Sequence, residues 1–433
     1  MISFKRMLPA AGAALLAMPA YAAPEVDTGN TAWLLMCAAL VMLMTPGLAF
    51  FYAGMVNRKN VVSTLLQNYM ALAIVGIAWV VIGYSLVFTE GSAYIGGSSL
   101  FMLEGLAETT YGETGIPSMA FMVFQMMFAI ITPALITGAF AERVNFKSWI
   151  FIMLLWSLLV YVPVAHWVWG PGGWIGAKGG LDFAGGLVVH ITAGFSGLAC
   201  GLLFGKRVNK TPNRPNDVPM VMLGAALLWF GWFGFNAGSA ITSGSLASYA
   251  FVNTFLGAAS AFVAWMLLEW LVEGRPTAIG SSIGIVVGLV AITPAAGFVD
   301  IQAAMIIGAA ATIAAYLISK QIKKITHLDD ALDVFACHGI GGVVGAILTG
   351  VYATKAVNPD IAVEGILIGG DATLFNANLI GVVAVAAFAF IMTVIIVKVV
   401  NVFIPIRVGA DVEGVGLDSH IHGEYARSND TKK

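Results

Sequence analysis

Two histidines, His190 and His338, sit inside stretches of the chain that are otherwise apolar. An ionisable group in a stretch apolar enough to enter a bilayer is costly, and it marks a functional site by default. A pair of imidazoles can share one proton, one ring donating and the other accepting. Such a pair suits a small polar solute that can itself donate and accept. A second set of residues is aromatic. Trp169 closes the run His166-Trp167-Val168-Trp169-Gly170, Phe124 and Phe128 lie one helical turn apart, and Phe235 precedes Ser239 by four residues. Aromatic faces attract cations, and a serine hydroxyl can accept a hydrogen bond from one. An interfacial aromatic belt would use the same residue types. Asp182 and Asp333 stand where they would cap the helices carrying the two histidines. A metal centre needs three or four ligands. Two histidines and Cys337, which neighbours His338 and so points elsewhere on a helix, do not supply them. No metal and no cofactor are expected, and no enzymatic activity.

The elements that must hold these residues are membrane helices. The chain is 59% hydrophobic and only 10% charged, against about 25% charged in soluble domains. A formal net charge of −2 argues against a nucleic-acid partner. The three cysteines, Cys37, Cys200 and Cys337, all lie in apolar segments and form no disulfide framework. Lys5 and Arg6, the apolar run from Met7 to Met18 and the Ala20-Tyr21-Ala22 site predict a signal peptide over 1–22. Scanning for stretches of about 20 apolar residues predicts eleven spans, at 32–56, 61–88, 118–141, 147–168, 183–205, 218–240, 248–271, 277–295, 299–319, 332–353 and 377–404. The transmembrane domain then covers 23–406, and 407–433 is a tail.

Loop charges orient the bundle. One set of loops carries Arg58, Lys59, Arg143, Lys147, Lys206, Arg207, Lys210, Arg214, Arg275, Lys320, Lys323 and Lys324. The tail adds Lys398, Arg407, Arg427, Lys432 and Lys433, whereas the opposite loops hold only Lys178 and Lys355. Positive residues mark the cytoplasmic side. The expectation is a multi-pass protein of a bacterial cytoplasmic (inner) membrane, with the mature N-terminus outside and the C-terminus cytoplasmic. A long acidic loop, 89–117, faces outward.

The two halves correspond faintly. Leu181-Asp182-Phe183 precedes His190, and Leu332-Asp333-Val334-Phe335 precedes His338. Spans one to five and six to ten are then two five-helix repeats, the second inverted, with an added eleventh helix. Inverted repeats place transporter sites near the midplane. His190 lies eight residues past Asp182, roughly 12 Å along a helix, and His338 five past Asp333, roughly 7 Å. The rings approach each other from opposite faces. Glycines such as Gly186, Gly194, Gly197, Gly341, Gly342 and Gly345 are spaced for close helix packing in lipid.

The segment Asp182-Phe183-Ala184-Gly185-Gly186-Leu187-Val188-Val189-His190, running on to Gly205-Lys206-Arg207, resembles the signature of the ammonium transporter family, relatives of the Rhesus proteins. So do Phe124 through Ala129, Ala141-Glu142-Arg143, Pro163 through Gly170, Gly231 through Ala240, Thr293-Pro294-Ala295 and Asp333 through Gly339. The match covers nearly the whole mature chain, in order. The resemblance implies an outer ammonium recruitment site of Phe128, Trp169 and Ser239, with Phe128 and Phe235 as a stacked gate. It implies twin pore histidines, His190 and His338, and a supporting role for Asp182 that does not touch the solute. It also implies a homotrimer with one pore per subunit, ammonium or methylammonium as solute, and a PII-type regulatory protein at the cytoplasmic face. Gly416-Leu417-Asp418-Ser419-His420 resembles the family's tail segment. Ammonium would deprotonate near the gate, ammonia would pass the histidines, and the proton would cross separately or return.

Overall fold

The computed structural model describes residues 25–208, 215–325 and 328–427. The expected signal peptide lies outside the described residues, as do Lys210, Arg214, Lys432 and Lys433. Among the described residues eleven apolar helices carry the fold. They are α1 (Thr28–Met55), α2 (Arg58–Phe88), α3 (Ser118–Phe140), α4 (Phe146–Ala177), α5 (Gly186–Leu203), α6 (Val218–Gly238), α7 (Ser245–Glu273), α8 (Ala278–Ile292), α9 (Ile301–Ile322), α10 (Phe335–Tyr352) and α11 (Ala372–Phe403). Aspartate side chains cap several of them: Asp27, Asp217, Asp300 and Asp371 each accept a backbone N–H from the first turn that follows. Apolar side chains turned outward on α7, α9 and α11, such as Leu271, Leu317 and Val402, form the lipid-facing surface.

Ten helices are long enough to cross a membrane, but α8 has 15 residues. That is roughly 22 Å of helix, short of the roughly 30 Å hydrocarbon core. The span expected at 277–295 therefore ends early. Pro294 has no N–H to extend the ladder, and its ring would clash with the preceding turn. The chain continues as turns over 293–299, where Ala295, Ala296 and Val299 are fully buried. Irregular backbone at this depth is tolerated because protein, not lipid, surrounds it.

The inverted repeat is visible in how α5 meets α10. A methyl group on Gly194 would stand 2.1 Å from the Gly339 nitrogen, so the two backbones touch. Gly197 packs on Val334, and Gly342 packs on His190. Residue numbers rise on one helix as they fall on the other, so the helices cross antiparallel. Their first turns match as well. Both begin as six-residue π-helices, Gly186–Ile191 and Phe335–Ile340, and each π segment contains its histidine. Single-turn π segments are rare and concentrate at functional sites. The first helices of the two halves, α1 and α6, also pack backbone to backbone at Gly224, Gly231 and Gly234.

At the basic face, ion pairs fasten loops and tail. Arg207 binds Glu142 at 2.8 Å and Asp329 at 2.9 Å. Arg407 binds Glu413 at 2.7 Å and donates to the Phe204 carbonyl. The tail then docks on the start of α2. Asp418 accepts from the N–H groups of Val62 and Ser63, Leu417 N–H donates to the Asn60 amide oxygen, and Lys59 donates to the Gly414 carbonyl.

Candidate functional site

The loop over 89–117 folds against the end of α4, opposite the basic face. Both ring nitrogens of buried His166 lie 2.8 Å from carbonyls, that of Val87 at the end of α2 and that of Ser92 in the loop, and the Trp167 indole N–H donates to the Tyr94 carbonyl. The loop thereby lays Tyr111 flat on Phe121 of α3, with ring centroids 3.6 Å apart. Here a vestibule of about 300 Å³ opens, bordered by Tyr111, Gln125, Phe128, Trp169, Asp182 and Ser239 among others. Phe128, Trp169 and Ser239, named from the sequence, thus share one cavity. Trp169 stands edge-on to Phe128, at 6.1 Å and 90°, and its indole N–H is held by the Asp182 carbonyl at 2.9 Å. Ser239 donates its hydroxyl proton to the Phe235 carbonyl at 2.9 Å, which leaves its oxygen free to accept. Phe124 lies behind Phe128, 4.9 Å between centroids, and is wedged against Gly238.

Below the vestibule, Phe128 from α3 and Phe235 from α6 stack at 4.2 Å and 26°. Both rings are buried, so they close the passage. Beyond them lies a narrow lumen lined by Met44, Leu48, Ile131, Leu135, Val189, Leu228, Trp232 and Val286, together with both histidines. Its volume is about 10 Å³, near the threshold for holding one water. His190 is stacked between neighbours: Trp232 at 5.3 Å and 22°, His338 at 5.4 Å and 19°. The two Nδ1 atoms are 3.3 Å apart. One ring must therefore donate through Nδ1 and the other accept. The donor ring keeps a lone pair on Nε2, and the acceptor ring carries its proton there. His190 Nε2 is buried with no protein partner.

Asp182 positions the first of these helices. Its carboxylate accepts four backbone N–H groups, from Gly185, Gly186, Leu187 and Val188, at 2.6–3.1 Å. The expected matching role for Asp333 does not hold. Asp333 bonds to Ser319 on α9 and to Lys323 just past its end, and its own backbone has φ 58°. Asp330 caps α10 instead, accepting the N–H groups of Val334 and Phe335 at 3.0 and 2.7 Å. The spacing explains this: Asp330 precedes His338 by eight residues, as Asp182 precedes His190. Asp333 then corresponds to Gly185, whose φ is 112°. The expected depth of five residues for His338 becomes eight, equal to that of His190. Among the described residues, no group of three or more His, Cys, Asp or Glu is placed to hold a metal ion.

Comparison with known proteins decides the family. The model of the Ammonium Transporter Family matches residues 32–427. The chain belongs to the ammonium transporter family. It is 48% identical to an ammonium transporter of Bacillus subtilis, covering 93% of this chain and 99% of that one. It is 45% identical to an ammonium transporter of Aquifex aeolicus, covering 93% and 94%. A crystal structure of Candida albicans Mep2 superposes with a TM-score of 0.84 at 34% identity, over 89% of this chain and 88% of that one. The Bacillus and Aquifex relatives are named transporters, not enzymes, and within the ammonium transporter family this chain is a multi-pass membrane protein.

Four residues in or beside the vestibule, the lumen and the helix caps escaped sequence reasoning. Trp232 and Tyr111 are aromatic residues among many, and only contact distinguishes them. Gln125 adjoins Phe124 in a quoted motif but carries no periodic signal. Asp330 was legible in the eight-residue spacing.

Proposed function

We propose that this chain carries ammonium across a bacterial cytoplasmic membrane by recruiting it at the vestibule, removing a proton near the phenyl gate and passing ammonia beside the two histidines. The observation that carries this reading is the histidine pair, at 3.3 Å, in a lumen otherwise lined by apolar side chains beneath a closed gate. A bare cation in such a lumen loses its hydration without replacement, a cost of several kcal/mol or more. Ammonium escapes by leaving its proton behind. Potassium has none to leave. The aromatic faces of Phe128 and Trp169 and the Ser239 oxygen draw the cation first. Ammonia, which donates and accepts, meets one lone pair and one N–H on the histidine Nε2 atoms, and the shared Nδ1 proton supplies a separate route for charge.

The same reading places the vestibule outside and the basic, tail-bearing face in the cytoplasm, after removal of a signal peptide over 1–22. It includes a homotrimer, methylammonium as a second solute, and a PII-type regulatory protein meeting the cytoplasmic face. The test is current from proteoliposomes on a solid-supported membrane, with ammonium and potassium pulses at several pH values. Replacing both His190 and His338 with alanine should abolish the ammonium-specific current. An undiminished current rules out the histidine relay, and equal potassium and ammonium currents in the native protein rule out the whole reading.

A further inference from the structure

Gln125 lies on α3, one turn before Phe128, and borders the vestibule with Phe128, Trp169 and Ser239. The residue is nine-tenths buried, at 9% exposure. Its amide oxygen is enclosed and meets no donor. Among the described residues no hydrogen bond holds the amide nitrogen either. A buried polar group left unpaired is uncommon and calls for an explanation. Three neighbouring polar groups of the mouth are engaged: Asp182 with four N–H groups, the Trp169 indole with a carbonyl, the Ser239 proton with another. The last torsion of glutamine is broad and roughly two-fold. A half-turn therefore exchanges oxygen and nitrogen without breaking any protein hydrogen bond. Whatever stands in the vestibule selects the end that faces it, and a cation bearing N–H donors selects the oxygen.

Ammonium has four donors in tetrahedral array. Ser239 offers one oxygen, and the rings of Phe128 and Trp169 offer two faces. We propose that Gln125 supplies the fourth partner by turning its carbonyl oxygen to the cation, so that it is a specificity-determining residue of the recruitment site. This rests on the recruitment reading above. Two directed oxygens suit N–H donors, but they are too few to replace the hydration shell of potassium.

The test measures the half-saturation concentration for ammonium and for methylammonium with the full chain reconstituted in liposomes. Gln125→Met keeps length and volume and removes both polar atoms. Ammonium half-saturation should rise about ten-fold, as for loss of one hydrogen bond to a charged donor, with maximal flux little changed. Methylammonium should lose less, because the new apolar wall accommodates its methyl group. Gln125→Glu presents an oxygen in either rotamer, so half-saturation should equal or fall below the native value. An unchanged value in Gln125→Met, or a rise in Gln125→Glu, overturns the assignment. If Gln125→Met fails to assemble, the Glu variant decides alone by the same criterion. Ser239→Ala separates the two layers. If it leaves half-saturation unchanged, the recruitment site itself is wrong; if it raises the value while Gln125→Met does not, only the role of Gln125 falls.

Discussion

The two capping aspartates permit a quantitative comparison within one molecule. Asp182 satisfies four N–H groups at the start of α5, and Asp330 satisfies two at the start of α10. Neither carboxylate can be truncated without stranding those donors, and a buried donor without a partner costs about 1–3 kcal/mol. The two carboxylates are almost equally buried, Asp182 at 7% and Asp330 at 8% exposure, so one value per donor, at the lower end of the range, serves both. Asp182→Ala should then cost about 4 kcal/mol and Asp330→Ala about 2 kcal/mol, at about 1 kcal/mol per freed donor. SDS titration of the purified protein in mixed micelles at pH 8, followed by tryptophan fluorescence, measures both on one scale. The ordering is the decisive quantity. If Asp330→Ala proves as damaging as Asp182→Ala, counting stranded donors is the wrong account of these helix starts, and the π-helical turns are held by packing instead.

Two further outcomes follow from single features. Burial first, and then the Asp333 carboxylate, push the Asp330 carboxyl up to about 7 from an ordinary 3.8. The unfolded chain releases that proton near the ordinary value, while the fold retains it to about 7, so this group's contribution to stability is present at low pH and lost as pH rises through that window. Asp330→Asn should remove this decline: the thermal midpoint of the native protein should fall relative to the variant's between about pH 4 and 7, and parallel curves would contradict the assignment. Gly194→Val should prevent α5 and α10 from meeting, because even a methyl group would stand 2.1 Å from the Gly339 nitrogen. Size-exclusion chromatography should show aggregation for that variant and a native profile for Gly414→Ala, where no atom lies within 4 Å.

Much of the architecture was legible because the bilayer simplifies the problem. Apolar length locates most spans, and lysine and arginine distribution orients them. The histidines stood out because ionisable groups are rare at that depth. What was missed has physical reasons. Hydropathy cannot see Pro294 stop α8, since the buried turns that follow are as apolar as helix. Asp333 attracted the cap assignment through a local word match, Leu-Asp-Phe against Leu-Asp-Val-Phe. Geometry obeys spacing rather than words: equal distances from cap to histidine put Asp330 in that place. The vestibule depended on a loop of irregular backbone, so the place of Tyr111 and the unpaired state of Gln125 could be seen only in three dimensions.

The antiparallel crossing of α5 and α10 has a further meaning. A core that looks nearly the same when turned end for end contains no rectifier. Either imidazole can take the donor's part, so hydrogen-bond polarity can run either way along the narrow section. Under the proposed function, net direction is set by the concentration and voltage across the lipid alone, and the unlike mouths, an aromatic basin at one end and a salt-bridged rim with a docked tail at the other, alter only the rate. On that reading the mouths, not the near-symmetric centre, are where the two sides of the lipid meet different chemistry.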